Sequence, residues 1–438
     1  MKTNIITLGC SKNTVDSEFL AGALEAAGHQ VFFDRKNNDC DYVIINTCGF
    51  IGDAKEESVN TILAQVEAKR NFNIRHHNDQ RRRTLIAVGC LVERYLKDLK
   101  NEIPEVDAWF GVHQWEDIPK HISKTVSPNS LLRTLSTPSH YAYLKISEGC
   151  NRHCSYCAIP LIRGKHISRP IDELVNEAKT LVRQGVKELI IIAQDTTYYG
   201  LDLYGKRCLG ELLERLAKES GAEWIRLHYT YPTSFPEDAI EVIRKYDNIC
   251  NYIDIPLQHI NSSILQSMQR GIDREGTLEL LKKFRKKIPN VSIRTTLIVG
   301  YPNESIEAFE ELKKFVSEAR FDRMGCFAYS PEEGTPAEQL GDPIDSDEKK
   351  RRVSELMEIQ EKISLELNEK RIGKTYRTLI DRKEGDYYIG RTEFDSPEID
   401  NEVLIDSKQC DTKLRISDFY NVKITDALEH DLIGEVVR

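Results

Sequence analysis

SEGCNRHCSYCAIP, residues 147–160, follows the strand-like run YAYLKIS (141–147) and sets Cys150, Cys154 and Cys157 in one short loop. Iron–sulfur clusters and structural zinc sites usually take four protein ligands, and this loop offers three thiols. One reading is zinc completed by His153 or His166, yet zinc sites favour paired C-x2-C knuckles and the second pair is absent. A reactive redox pair at Cys154 and Cys157 is a second reading, but the pair does not open a helix after a thioredoxin-like strand. The third is a 4Fe–4S cluster with one iron left open to a small molecule. It explains the most, because it gives the missing ligand a purpose.

Further strand-sized runs follow at ELIIIAQD (188–195), WIRLHYT (224–230), YIDIPLQ (252–258), VSIRTTLIVG (291–300) and RMGCFAYS (323–330), with helical stretches between them. Six β/α units predict a partial version of the eight-unit barrel. Such barrels carry their active sites at the carboxyl ends of the strands, where the three-cysteine loop begins. A charged helix over 345–370, with Val353, Leu356, Met357, Ile363 and Leu367 on one face and Asp345 or Ser346 as cap, closes a segment spanning 135–370. Its charge run is read as a solvated face.

Upstream, residues 1–125 alternate buried-strand runs NIITL (4–8), YVIIN (42–46) and TLIAV (84–88) with helical stretches, which predicts a doubly wound parallel sheet. Each run leads into a cysteine: Cys10, Cys48 and Cys90. Ligands of open α/β sheets bind outside the carboxyl ends of the strands, so these thiols can converge on a second metal site. NFNIRHHNDQRRR (71–83) reads as an inserted basic loop. Cys40, Cys208, Cys250, Cys326 and Cys410 share no pattern and are read as structural. Downstream, residues 373–438 break into five short strands, the pattern of a small antiparallel β-barrel.

The chain has 438 residues, 40% hydrophobic and 30% charged, with a net charge of −9 and eleven cysteines. An odd count spread over a long chain argues against a disulfide scaffold and for a reducing, cytoplasmic setting. No run reaches the roughly 18 apolar residues of a membrane span, and the N-terminus turns polar too early for a signal peptide. The negative charge disfavours nonspecific nucleic-acid binding.

C-x3-C-x2-C after the first strand of a β/α barrel resembles the signature of the radical S-adenosylmethionine (SAM) enzymes. The resemblance implies that SAM itself is the missing ligand, cleaved by the reduced cluster to a radical that abstracts hydrogen, while the protein positions it and excludes water. It also implies SAM contacts at Tyr156, Gln194, Asp195, Gln258 and Arg294, a weaker one at His259, and an adenine-side loop at LIVGYPNES (297–305).

The order of segments resembles the methylthiotransferases, whose C-terminal part is a TRAM-like barrel. In that family Cys10, Cys48 and Cys90 would hold a second 4Fe–4S cluster. CSKNTVDSE (10–18), NTCGFIGDAKEES (46–58), QDTTYYGLDLYG (194–205) and GRTEFDSPEID (390–400) are similar to the RimO-type branch. That branch acts on the β-carbon of an aspartate of ribosomal protein uS12, giving 3-methylthioaspartate, with a flavodoxin or ferredoxin as electron donor. Residues 374–438 hold ten Lys/Arg and fifteen Asp/Glu. The acidic run containing Glu393, Asp395, Glu398 and Asp400 is read as a substrate-binding face that repels tRNA and attracts a basic protein. A tRNA-adenosine methylthiotransferase, with a cationic face from Arg75 and Arg81 to Arg83, and a zinc-stabilised RNA-binding protein are the rivals.

Overall fold

The computed structural model describes all residues except 37–38, 80, 124–132, 411 and 438. The boundary expected at residue 125 lies outside the described residues. Five parallel strands form the first sheet: β1 (Lys2–Thr7), β2 (Gln30–Phe33), β3 (Tyr42–Thr47), β4 (Thr84–Gly89) and β5 (Ala108–Phe110), in the order β2-β1-β3-β4-β5. The central strands are buried almost end to end because helices cover both faces. β2 and β5 escape the sequence reading; they are short, half-buried edges without a continuous apolar run. The helix Gly52–Arg75 runs into the segment expected to be a loop. Arg81 then folds back onto Asp39 and Asp41, and Arg83 donates to the Cys40 carbonyl, so much of the basic segment is tied within its own domain.

The second part is a half-open barrel. β6 (Tyr141–Lys145) leads into a small pairing of β7 (Ser147–Glu148) with β8 (Ile167–Ser168) around the cysteine loop. β9 (Glu188–Ile192), β10 (Trp224–Leu227), β11 (Tyr252–Asp254), β12 (Ser292–Val299) and β13 (Arg323–Ala328) follow. They form two parallel halves, β10-β9-β6 and β11-β12-β13, joined by a bridge between Ile225 and Ile249. Six strands cannot close the cylinder, and β6 is a free edge. The helix Ser11–Ala26 of the first domain covers it, packing Val15 and Phe19 against Tyr141, Tyr143, Ile190 and Ile192. Arg133 reinforces that junction from the connecting segment, 2.5 Å from Glu18 and 2.9 Å from Glu177.

The helix Ser346–Glu369 is capped by Asp345, whose side chain accepts from Asp347 N–H. Leu356 and Ile363 are buried as expected, but so are Lys349, Arg352 and Gln360 on the same stripe. The charge run is therefore only partly a solvated face: Lys349 donates to the Tyr329 carbonyl and Arg352 to the Glu304 carbonyl.

The C-terminal part is a closed barrel of β14 (Thr375–Glu384), β15 (Tyr387–Thr392), β16 (Glu402–Asp406), β17 (Phe419–Ala427) and β18 (Asp431–Val436). It is antiparallel except where β16 and β18 pair in parallel. It docks on the amino ends of the larger barrel, touching the first residue of each of the six strands named above. Tyr141 donates to Glu398, Arg391 pairs with Glu188, and Phe419 packs edge-on to Trp224. Tyr252 donates to Asp400, Ser292 to the Phe394 carbonyl, and Arg323 pairs with Asp395.

Candidate active site: two sets of three cysteines

In the first sheet the chain leaves β1 and β3 in opposite directions, and a crevice opens outside their carboxyl ends. Cys10, Cys48 and Cys90 follow β1, β3 and β4 there. Gly9, at φ +92°, lets the β1 end pass close to Cys48: a Cβ on it would lie 2.7 Å from the Cys48 Cβ. Asn13 braces the crevice, donating to the Leu8 carbonyl at 2.7 Å and the Thr47 carbonyl at 3.2 Å. Cys48 and Cys90 are buried, whereas Cys10 is exposed. Burial pushes the Cys90 thiol up to about 11 although Arg163 opposes it.

The second set lies at the carboxyl end of the larger barrel, in the loop after β7. Its middle is anchored by Ser155, whose N–H donates to the Met268 carbonyl and whose hydroxyl meets Tyr301 at 2.9 Å. Arg270 reaches the Cys154 sulfur at 3.3 Å, and the Tyr231 hydroxyl lies 3.5 Å from it. Burial raises Cys150 to about 11 and Cys157 to about 12. Thiols so placed give up their protons only to a strongly binding metal. Among the described residues no three His, Cys, Asp or Glu side chains close on a single metal ion. Zinc would need its thiolates within about 2.3 Å of one point, whereas in an iron–sulfur cluster thiolates bind separate irons. Three thiols per set, with a guanidinium against a sulfur in each, suit a cluster whose charge is negative.

The two sets are wired together. The helix Ile159–Arg163 follows the barrel cysteines and packs Ala158 and Ile162 against Cys90. Arg163 places its guanidinium 3.5 Å from the Cys90 sulfur, 2.6 Å from Asn13 Oδ1 and 2.9 Å from Glu148 Oε1. Lys145 pairs with Asp16 and, at 2.8 Å, with Glu148. Burial alone would raise Glu148, but Lys145 and Arg163 hold its carboxyl far below the ordinary range. A cavity of about 460 Å³ adjoins the barrel set, lined by Tyr156, Gln258, Thr296, Ile298, Phe327 and Tyr329 and by Phe50–Asp53 of the first domain.

Three family models match: "Uncharacterized protein family UPF0004" over residues 2–111, "Radical SAM superfamily" over 144–316 and "TRAM domain" over 372–437. A protein of Phocaeicola vulgatus named ribosomal protein uS12 methylthiotransferase RimO is 53% identical, covering 100% of both chains. A Flavobacterium psychrophilum protein of the same name is 54% identical over 99% of this chain and 98% of its own. The chain belongs to the RimO family. Among solved structures, the radical SAM methyltransferase TsrM of Kitasatospora setae superposes with a TM-score of 0.55 at 12% identity, over 88% of this chain and 79% of its own. The cobalamin-dependent SAM radical enzyme OxsB gives 0.53 at 10% identity, over 82% and 56%. Both are likenesses of fold.

A RimO-family chain with a radical SAM domain uses an iron–sulfur cluster and SAM. Of the residues expected at SAM, Tyr156 and Gln258 line the cavity, and Gln258 Oε1 is buried without a partner. Gln194 donates to Glu148 at 2.8 Å and leaves its own Oε1 unpartnered. Asp195 is engaged by Arg152 and by the N–H and hydroxyl of Thr197. His259 is fully buried, with Nδ1 accepting from Asn261 N–H. Arg294 does not fit its expected role: it sits near the start of β12, at the opposite end of the barrel, paired with Asp254 at 3.1 Å and Asp400 at 3.3 Å.

The acidic stretch is the larger correction. Asp395 and the Asp400 carboxyl are buried in ion pairs with this chain's own arginines, and Glu393 is half-buried with its carbonyl accepting from Arg226. Glu398 is exposed but accepts from Tyr141. The run reads as acidic because Asp395 and Asp400 answer Arg323 and Arg294 inside the fold, and it lies at the end away from both cysteine sets. Sequence reasoning also missed Asn13, Asp16, Lys145, Glu148 and Arg163. The available signal was a lysine inside the apolar strand YAYLK.

No helix among the described residues is long and apolar enough to cross a membrane.

Proposed function

We propose that the protein is a radical SAM methylthiotransferase that adds a methylthio group to the β-carbon of an aspartate of ribosomal protein uS12. The observation that carries this reading is the pair of three-thiol sets, each at the carboxyl end of a parallel sheet and joined through Arg163. Cys10, Cys48 and Cys90 would hold one 4Fe–4S cluster, and Cys150, Cys154 and Cys157 the other. Bound there, the clusters and SAM supply the electron, the hydrogen-abstracting radical and the methylthio group.

The chain's own residues bind, orient and insulate. Tyr156, Gln258 and the apolar lining of the cavity suit the adenosyl part of SAM. The helix Ser11–Ala26 seals the open barrel edge and keeps bulk water from the lumen. Arg270 and Arg163 offset negative charge at Cys154 and Cys90. A flavodoxin or ferredoxin is the proposed electron donor. The tRNA reading draws no support from Arg81 and Arg83, which are held within the first domain.

The test is the mass of uS12 and the tRNA nucleosides from cells with and without the gene. A methylthio increment on one uS12 aspartate that disappears with the gene is expected. Loss of a methylthioadenosine instead would sink the substrate assignment.

A further inference from the structure

We propose that Lys12 is the residue that receives the carboxylate of the substrate aspartate; this rests on the uS12 reading above. Most cations around the two cysteine sets are matched by carboxylates of this chain, while Arg270 is held by the Cys154 sulfur, the Tyr156 hydroxyl and the Pro256 carbonyl. Arg152 has Asp195 at 2.7 Å, Arg163 has Glu148 at 2.9 Å, and Lys145 has Glu148 and Asp16. On the first domain's side, Lys55 and Arg94 share Glu332. Lys12 is buried to 7% exposure, yet among the described residues it has no carboxylate partner. Its ammonium rests on the ring of Tyr229, 2.9 Å from the centroid. The Cys10 thiol feels the charge of this ammonium, and a ring face compensates a desolvated cation only in part, so burying it without a carboxylate partner is a costly arrangement.

Helix stability does not explain the residue. Lys12 occupies the first turn of the helix Ser11–Ala26, the end where a positive charge is disfavoured. What its position does serve is the gap between the two sets. It is two residues beyond Cys10, and Tyr229 belongs to the loop at the carboxyl end of β10, with its hydroxyl 3.4 Å from Ser11 Oγ. A carboxylate bound to Lys12 Nζ would stand at the barrel lumen beside the first cysteine set. The β-carbon of an aspartate is bonded directly to its carboxyl carbon. One charge-assisted contact therefore fixes the atom that reacts, and it separates aspartate from asparagine, which has no charge to offer.

The experiment compares anaerobically reconstituted wild type, Lys12→Met and Lys12→Arg, each assayed for iron content. The probes are recombinant uS12 and uS12 with the target aspartate replaced by asparagine. Wild type is expected to bind the aspartate form about 10- to 100-fold more tightly than the asparagine form. Lys12→Met is expected to bind both forms equally, at the wild-type affinity for the asparagine form and with unchanged iron, while Lys12→Arg keeps a preference for aspartate. An unchanged preference in Lys12→Met, or no preference in wild type, overturns the proposal. So does a loss of iron in Lys12→Met, which would assign the lysine to the cysteine set. Wild type that binds neither form and leaves uS12 mass unchanged in cells overturns the uS12 reading itself.

Discussion

Arg163, carried by the barrel domain, holds its guanidinium 3.5 Å from the sulfur of Cys90 in the first domain. The same guanidinium is the partner of Glu148 and Asp16. Replacing it by Met leaves Glu148 and Asp16 sharing Lys145 alone, one cation for two buried carboxylates, and is expected to cost about 3–5 kcal/mol. Denaturant unfolding of Arg163→Met should show that loss. Iron analysis should show the first set depleted and the barrel set retained, with Arg163→Lys intermediate.

The two cysteine sets are separable by chemistry. Cys154→Ala should lower the iron content from about eight to about four per chain and abolish SAM cleavage under dithionite. Cys90→Ala should lower the iron equally, keep SAM cleavage and lose the methylthio product on uS12. Cleavage surviving in Cys154→Ala would refute the assignment of the barrel set.

Gly9 tests the packing of the first crevice. An alanine there would have to adopt φ +92° and would press its Cβ within 2.7 Å of Cys48 Cβ. The backbone strain alone is about 1–2 kcal/mol. Gly9→Ala should melt lower as apoprotein and take up less iron at the first set, read as visible absorbance after reconstitution. Gly28→Ala, also at positive φ but with open space around it, should lose stability without losing iron.

Acid should weaken the junction between barrel and C-terminal domain. His228 lies buried against Ser396, its ring nitrogen 2.9 Å from the hydroxyl, and burial pushes its imidazole down to about 3 from 6.5. A depressed value means that the neutral ring's contribution is complete above pH 6.5 and is lost as pH falls toward 3. Protease cleavage within 393–401 should rise as pH is lowered through that range. His228→Gln should flatten the dependence.

The six barrel strands and both cysteine sets were legible because each depends on local pattern: continuous apolar runs, and thiols at strand ends. The central strands β3 and β4 were equally plain, but β2 and β5 were not, since an edge strand need not be apolar on both faces. The acidic run misled for a physical reason. Composition reports charge but not its partner, and Asp395 and Asp400 are answered by Arg323 and Arg294 more than 70 residues earlier in the chain. Long-range pairing also hid Arg163 and Lys12, whose meaning lies in contacts across a domain boundary.

The stretch 393–401 stoppers the amino end of the larger barrel, and its partners are spread over the starting residues of the strands. A C-terminal domain exchanged from another protein would leave Arg226, Arg294 and Arg323 facing an empty socket unless that stretch came with it. The unit that can be transplanted is therefore the small β-barrel together with its stopper. Substitutions at Arg323 and Asp395 should be inherited as compensating pairs.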